Sequence, residues 1–166
     1  NKIKQDSNSD SVWQKGCGTI SSSSELTGSV ASDSPSYSAI ILAGTADNVM
    51  SKYKFSAENE AFIIKKLDVV VDNNNDFSDD YSDEGDINIA KVSLSYPTQN
   101  ESIETVSTAM VSGKASFENL NFYVPKDGSA EITVLADIAA IEDGAVSGSS
   151  FRVGFFMLND KWGIGN

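Results

Sequence analysis

Alternation of apolar and polar side chains is clearest from Ala130 to Ala140. Ala130, Ile132, Val134, Ala136, Ile138 and Ala140 fall on one parity, and Glu131, Thr133 and Asp137 on the other. A period of two marks a strand with one buried face. The same signature recurs in VMSKYKFSA, with Val49, Tyr53 and Phe55 opposite Met50, Lys52 and Lys54, and in INIAKVSLSY, where Ala90, Val92, Leu94 and Tyr96 share a face and Pro97 ends the run. In AFIIKKLDVVV the set Phe62 and Ile64 is out of phase with Leu67, Val69 and Val71, and a bulge at Lys65 and Lys66 would return both halves to one face. SYSAIILAG, ended by Gly44, reads as a short apolar strand and IETVSTAMVS as an edge strand leading to a turn at Ser112, Gly113 and Lys114. Leu120, Phe122 and Val124 alternate with Asn119, Asn121 and Tyr123; Asp127-Gly128 signals a hairpin turn, and SSFRVGFFMLND a last long strand.

No segment holds a 3.6-residue period over three turns, so little helix is expected. About eight strands at this spacing predict an all-β fold, an antiparallel Greek-key β-sandwich of immunoglobulin-like type, with an all-β barrel as the alternative. The sandwich is placed at residues 36–160, followed by a C-terminal tail at 161–166. Residues 1–35 carry little periodicity, and their Ser-rich stretch SSSSELTGSVASDSPS reads as an extended arm or linker. Val12, Trp13, Ile20, Leu26 and Val30 are its apolar anchors, either onto its own domain or onto a neighbouring copy. For docking on a neighbour the expected assembly anchors are Val12, Trp13 and Ile20.

Between two of the predicted strands lies NNNDFSDDYSDEGD, a loop of carboxylates, amides and hydroxyls. So many negative groups repel one another unless solvated or neutralised by a cation. Counted from Asp72, the oxygen-bearing residues Asp72, Asn74, Asp76, Ser78, Asp80 and Asp83 occupy positions 1, 3, 5, 7, 9 and 12 of a twelve-residue calcium loop. The match is incomplete, since Phe77 stands where that loop turns on Gly and Asp83 where it uses a bidentate Glu. Strands rather than helices flank it, so the expectation is a calcium-compatible loop and no EF-hand. Hard oxygen donors favour calcium over zinc or copper, and no other cofactor is suggested.

Composition narrows the function classes. The 166 residues suit one domain with an arm. With 12 Lys+Arg against 24 Asp+Glu the formal charge is -12, which repels nucleic acid and anionic membranes. The chain has no histidine, the commonest general base and transition-metal ligand. The single Cys17 can form no internal disulfide or thiolate cluster. No apolar run approaches the roughly 20 residues of a membrane helix. GxSxG, HExxH and glycine-rich phosphate-loop patterns are absent, and neighbouring carboxylates such as Asp79 and Asp80 read as a solvated face, so no catalytic residue and no enzyme are expected. The chain opens on Asn1, as a processed or excised piece of something longer would. Its wealth of Ser, Asn, Asp and Gly suits an extracellular or cell-surface protein.

The succession GTADNVMSKYKFSAENEAFIIKKLDVVV, DINIAKVSLSYPT and GKASFENLNFYVPKDGSAEITVLADIA resembles a β-sandwich module of large predicted cell-surface proteins of candidate-phylum, ultra-small bacteria. The resemblance covers about Ser36 to Asp160 and rests on scaffold features: the strand pairs, the apolar set Phe117, Leu120 and Phe122, and the turn Val124-Pro125-Lys126. It implies a sandwich fold and a surface location and is silent on chemistry. The leading expectation is therefore a non-enzymatic extracellular structural subunit or surface module. It would self-associate into a filament or surface layer by strand or arm exchange, with copies of itself as partners. The alternative is a carbohydrate-binding or adhesion module that meets a glycan on the aromatic rings of Trp13, Tyr81, Tyr123 and Trp162.

Overall fold

The computed structural model describes residues 24–35, 40–72 and 87–155. Within them lie ten strands: β1 (Glu25–Val30), β2 (Asn48–Glu58), β3 (Phe62–Ile64), β4 (Leu67–Asp72), β5 (Ile89–Pro97), β6 (Ile103–Thr108), β7 (Lys114–Phe117), β8 (Phe122–Val124), β9 (Ser129–Ile138) and β10 (Arg152–Phe155). The described residues hold no α-helix, only a 3-10 turn at Ile141–Asp143. One layer is a five-stranded sheet in the order β1-β2-β9-β5-β6, and the other is built from β10-β4-β7 and β3-β8. Every pairing is antiparallel. The fold is an all-β sandwich, and a single apolar core fills the space between its layers.

Strand β9 lies at the centre of the larger sheet because its alternation is the cleanest. Ala130, Ile132, Val134, Ala136 and Ile138 are all buried. Opposite them Val69, Val71, Ala115, Phe117, Phe122, Val124, Val153 and Phe155 close the core from the second layer. Three ring contacts tie the layers together: Tyr53 on Phe155 (centroids 4.5 Å apart), Phe55 edge-on to Phe122 (5.2 Å), and Tyr96 on Phe122 (5.7 Å). These separations lie in the range where aromatic pairs add to the burial of their area.

The count exceeds eight partly because two predicted strands each break in two. Phe62 and Ile64 pair with Val124 and Phe122, whereas Leu67 and Val70 pair with Phe117 and Lys114. Two residues, Lys65 and Lys66, thus oppose the four from Glu118 to Asn121: the ladder breaks where the phase slip predicts, but the extra residues lie in the facing segment rather than at the two lysines. Asn119 takes a left-handed φ of 57° there, which Asn tolerates better than most residues. Leu120 donates its N–H to the Lys65 carbonyl at 3.0 Å and drops its side chain into the core. The two lysines turn outward to Asn121 (2.9 Å) and Glu118 (3.0 Å). Phe62, Ile64 and Leu67 accordingly all pack against the core. Val70, on the other parity of β4, is also fully buried.

Other expectations need correction. The apolar run expected as a strand before Gly44 is not one over Ile40–Ala43: Ile40 is 93% exposed and Leu42 70%. Its neighbourhood bonds instead to the end of β9 and the loop after it, through Gly44 N–H to Ala139 O (3.1 Å) and Ile138 N–H to Thr45 O (2.8 Å). Irregularities between Val49 and Ser51 and between Ile89 and Lys91 shift the register. They turn Met50 toward the core and leave Val49 outside, and they bury Ile89 in place of the exposed Ala90. The Asp127-Gly128 turn forms, with Gly128 N–H bonded to Pro125 O at 3.1 Å, but it carries the chain from β8 in one layer to β9 in the other and closes no hairpin. The turn at Ser112 and Gly113 does close one: both take positive φ (50° and 72°) and Val111 and Lys114 bond each other.

On the outer face of the large sheet, Asp137 accepts the Asp47 N–H (2.9 Å) and the Lys91 ammonium (2.8 Å). The backbone bond first, then Lys91, hold its carboxyl below the usual carboxylate range. A folded pKa below the unfolded one gives stabilisation that is complete above about pH 4 and is lost as pH falls from there through the folded value. Asp137→Asn should therefore flatten the fall in stability between about pH 5 and pH 2, read from urea unfolding midpoints across that range. An unchanged slope would assign the acid sensitivity to other carboxylates, of which Asp68, held low by Lys114 and Ser116 against its own burial, is the next candidate.

Candidate association surface

A sandwich presents strand edges, and an edge with unprotected main-chain groups is a template for another strand. The edges of this molecule differ in how they are blunted. In β10, two buried side chains of β2 do it: the Ser51 hydroxyl donates to Val153 O (3.1 Å), and the Tyr53 hydroxyl accepts the Phe155 N–H (3.3 Å). The edge of one layer is thereby fastened to the face of the other, which accounts for polar groups at Ser51 and Tyr53 in the core. Ser51→Ala and Tyr53→Phe should each cost about 1–3 kcal/mol, the penalty of an orphaned buried backbone group, with circular dichroism melts as the readout. Loss below about 0.5 kcal/mol in both would mean that water replaces the fastening.

Strands β3 and β8 are only three residues long, and β7 four. Lysines 65 and 66 flank β3, and in β7 Lys114 pairs with Asp68 at 2.8 Å. Strand β6 is the edge the sequence predicts, paired among the described strands with β5 alone. It turns Glu104 inward opposite the buried Tyr96, and an inward charge discourages a further strand. Burial pushes the Tyr96 phenol pKa up, and the Glu104 carboxylate adds to the rise.

That leaves β1. The segment expected as arm through Pro35 supplies, over Glu25–Val30, the outer strand of the large sheet, paired along its length with β2 of its own chain. Ala31 N–H bonds Lys52 O at 2.9 Å, so by the alternation of an antiparallel ladder Glu25, Thr27 and Ser29 bond toward β2. Leu26, Gly28 and Val30 aim their N–H and C=O groups away from the sheet. After Glu25 the strand has no charge, no Pro and no bulge. On the core-side face of β1 Leu26 is partly buried, Gly28 has no side chain, and Val30, opposite the buried Tyr53, remains 54% exposed.

A second feature lies at one end of the molecule. The Asn88 carbonyl accepts the Ala139 N–H (3.0 Å) and its side-chain oxygen the Val146 N–H (2.8 Å), while Ala139 O accepts Gly44 N–H. These bonds gather three loops, and the loops carry the exposed apolar residues Ile40, Leu42, Ile87, Ile141 and Val146. Sequence patterning missed this patch because its members sit in three separate segments.

Of the predicted site residues, Asp72 ends β4 and Ile89 opens β5, so strands do flank the acidic loop, one in each layer. The Asp72 side chain and Asn74, Asp76, Ser78, Asp80 and Asp83 lie outside the described residues, as do Val12, Trp13 and Ile20. Among the described residues no three Asp, Glu, His or Cys side chains gather to hold a metal, and no helix is long and apolar enough to cross a membrane. Of the aromatic candidates Trp13, Tyr81 and Trp162 lie outside the described residues too, and Tyr123 is half-buried on β8. The sequence matches no protein-family model and no curated protein.

Proposed function

We propose that this chain is a non-enzymatic structural subunit or surface module of the cell exterior that associates with copies of itself. The observation that carries the reading is the edge of β1, unpaired among the described residues, with Leu26, Gly28 and Val30 presenting main-chain donors and acceptors beside an exposed Val30. The apolar end patch and a sequence without histidine agree with a role in contact rather than catalysis. The Greek-key, immunoglobulin-like character and the likeness to bacterial surface modules belong to the same proposal. Sedimentation of the full chain over a wide concentration range, with electron microscopy of the concentrated sample, tests it. Concentration-dependent association is the expected result, and a monomer at every concentration overturns the reading.

The acidic loop enters this proposal as a calcium site that stiffens the crossing from β4 to β5. Bound to the native loop alone, calcium at about 100 times its dissociation constant should stabilise the fold by about 2.7 kcal/mol. Equal melting temperatures in millimolar calcium and in chelator dispose of the site, and a calcium response that survives Asp76→Asn with Asp80→Asn places it elsewhere.

A further inference from the structure

We infer that two copies of this chain join through β1, antiparallel about a two-fold axis at Gly28, so that their five-stranded sheets become one continuous sheet. The inference rests on the self-association proposed above and names the surface and the geometry. Only residues with outward main-chain groups can form the hydrogen-bonded pairs of the new ladder, which restricts those pairs to Leu26, Gly28 and Val30. The symmetric register sets Gly28 against its mate and Leu26 against Val30 of the second copy, and each facing pair exchanges two hydrogen bonds.

Side-chain chemistry favours this register on both faces. Directly opposed residues share a face, so Leu26 covers the exposed Val30 of the mate, and the facing glycines put no bulk between the two Leu-Val pairs. On the other face Thr27 meets Ser29. Charge favours the antiparallel sense, because it keeps like ends apart. The acids Glu25 and Glu58 are neighbours at one end of the β1–β2 pair, and Lys52 and Lys54 lie toward the other. Lys52 pairs with Asp33 in its own chain and Lys54 stands opposite Glu131 of β9, so that end is close to neutral, and antiparallel pairing lays the acidic end of each copy beside it, across the small Ala31. A parallel pairing would bring like ends together. Among the described residues β10 packs over β2, and no strand of the second layer packs extensively on β1. The contact is short, so a weak dimer is expected.

The full chain is compared with Gly28→Pro and Val30→Lys by sedimentation equilibrium. Gly28→Pro removes an outward N–H, uses no donor of the β1–β2 ladder and stays within the backbone range of an edge strand. Both variants are expected to keep the melting temperature of the parent and to weaken dimerisation at least tenfold. Hydrogen exchange supplies a readout that local unfolding would not mimic: the Leu26, Gly28 and Val30 amides gain protection as concentration rises, while Thr27 and Ser29 are protected throughout. In a Cys17→Ser background, Gly28→Cys should oxidise to a disulfide-linked dimer, since Cα atoms about 5.5 Å apart in such a pair suit the bond. An association that persists unchanged in both variants, without concentration-dependent protection of those amides, overturns the β1 geometry and leaves self-association standing. A parent chain that is monomeric at every concentration overturns both.

Discussion

Replacing Phe122 by Ala is expected to remove about 3–5 kcal/mol of stability, the largest effect of any single truncation in this molecule. The ring has no exposed surface and lies between Phe55 and Tyr96, so both sheets lose contacts when it is cut back. Its strand is only three residues long and is paired on one side. Main-chain bonds cannot hold β8 in place without this side chain, and the hole would open between Phe55 and Tyr96. Against a total stability of about 5–15 kcal/mol for a domain, the loss should lower the urea midpoint severely or leave the protein partly unfolded in water. Tyr123→Ala, one residue along and half-buried, is the control. Equal losses at the two positions would mean that β8 presents the wrong face to the core.

The sequence made this core legible because strands covered on one face write their burial into alternation. Residues 130–138, 92–96 and 120–124 were all readable in this way, and so was the edge position of β6, whose apolar residues thin out. The break at Lys65 and Lys66 was legible as a phase slip, though not the extra residues opposite it. Two other irregularities were not, because a single residue inserted at Met50 or Ala90 flips the inward parity without changing composition. The run before Gly44 misled for another reason. Apolar content predicts burial only where the chain has a neighbour to pair with, and here the nearby main-chain bonds go to Ala139 and Ile138.

Strand β1 was the least legible element, and it is the one on which the association surface depends. ELTGSV offers only Leu26 and Val30 as apolar residues and has Gly at its centre, so its composition is that of a linker. An edge strand can be held by its ladder with little side-chain burial, and a pattern of burial is what sequence reading detects. The acidic loop posed the opposite case, conspicuous by composition while its geometry lies outside the described residues.

The position of β1 changes what truncation should do. If residues 1–35 were an arm apart from the sandwich, their removal would leave a folded monomer. With β1 as the outer strand of the large sheet, a chain cut to begin at residue 32 should be markedly less stable than one that begins at residue 24. The longer cut takes away the ladder at Glu25, Thr27 and Ser29, the partly buried Leu26 and the buried Ala31. At about 0.5–1.5 kcal/mol for each hydrogen bond, offset by the ordering of six residues, a difference on the order of 3 kcal/mol is expected between the two chains in urea. The cut also makes β2, 11 residues long, the new edge, with the apolar residues Tyr53, Phe55 and Ala57 beside it. That edge is longer and more apolar than β1, and Lys52 and Lys54 are its main protection. Light scattering of the chain from residue 32 should therefore show aggregation at concentrations where the chain from residue 24 stays clear. Equal unfolding midpoints and equal scattering for the two chains would mean that β1 contributes nothing to the sandwich, and the association surface drawn on its edge would fall with it.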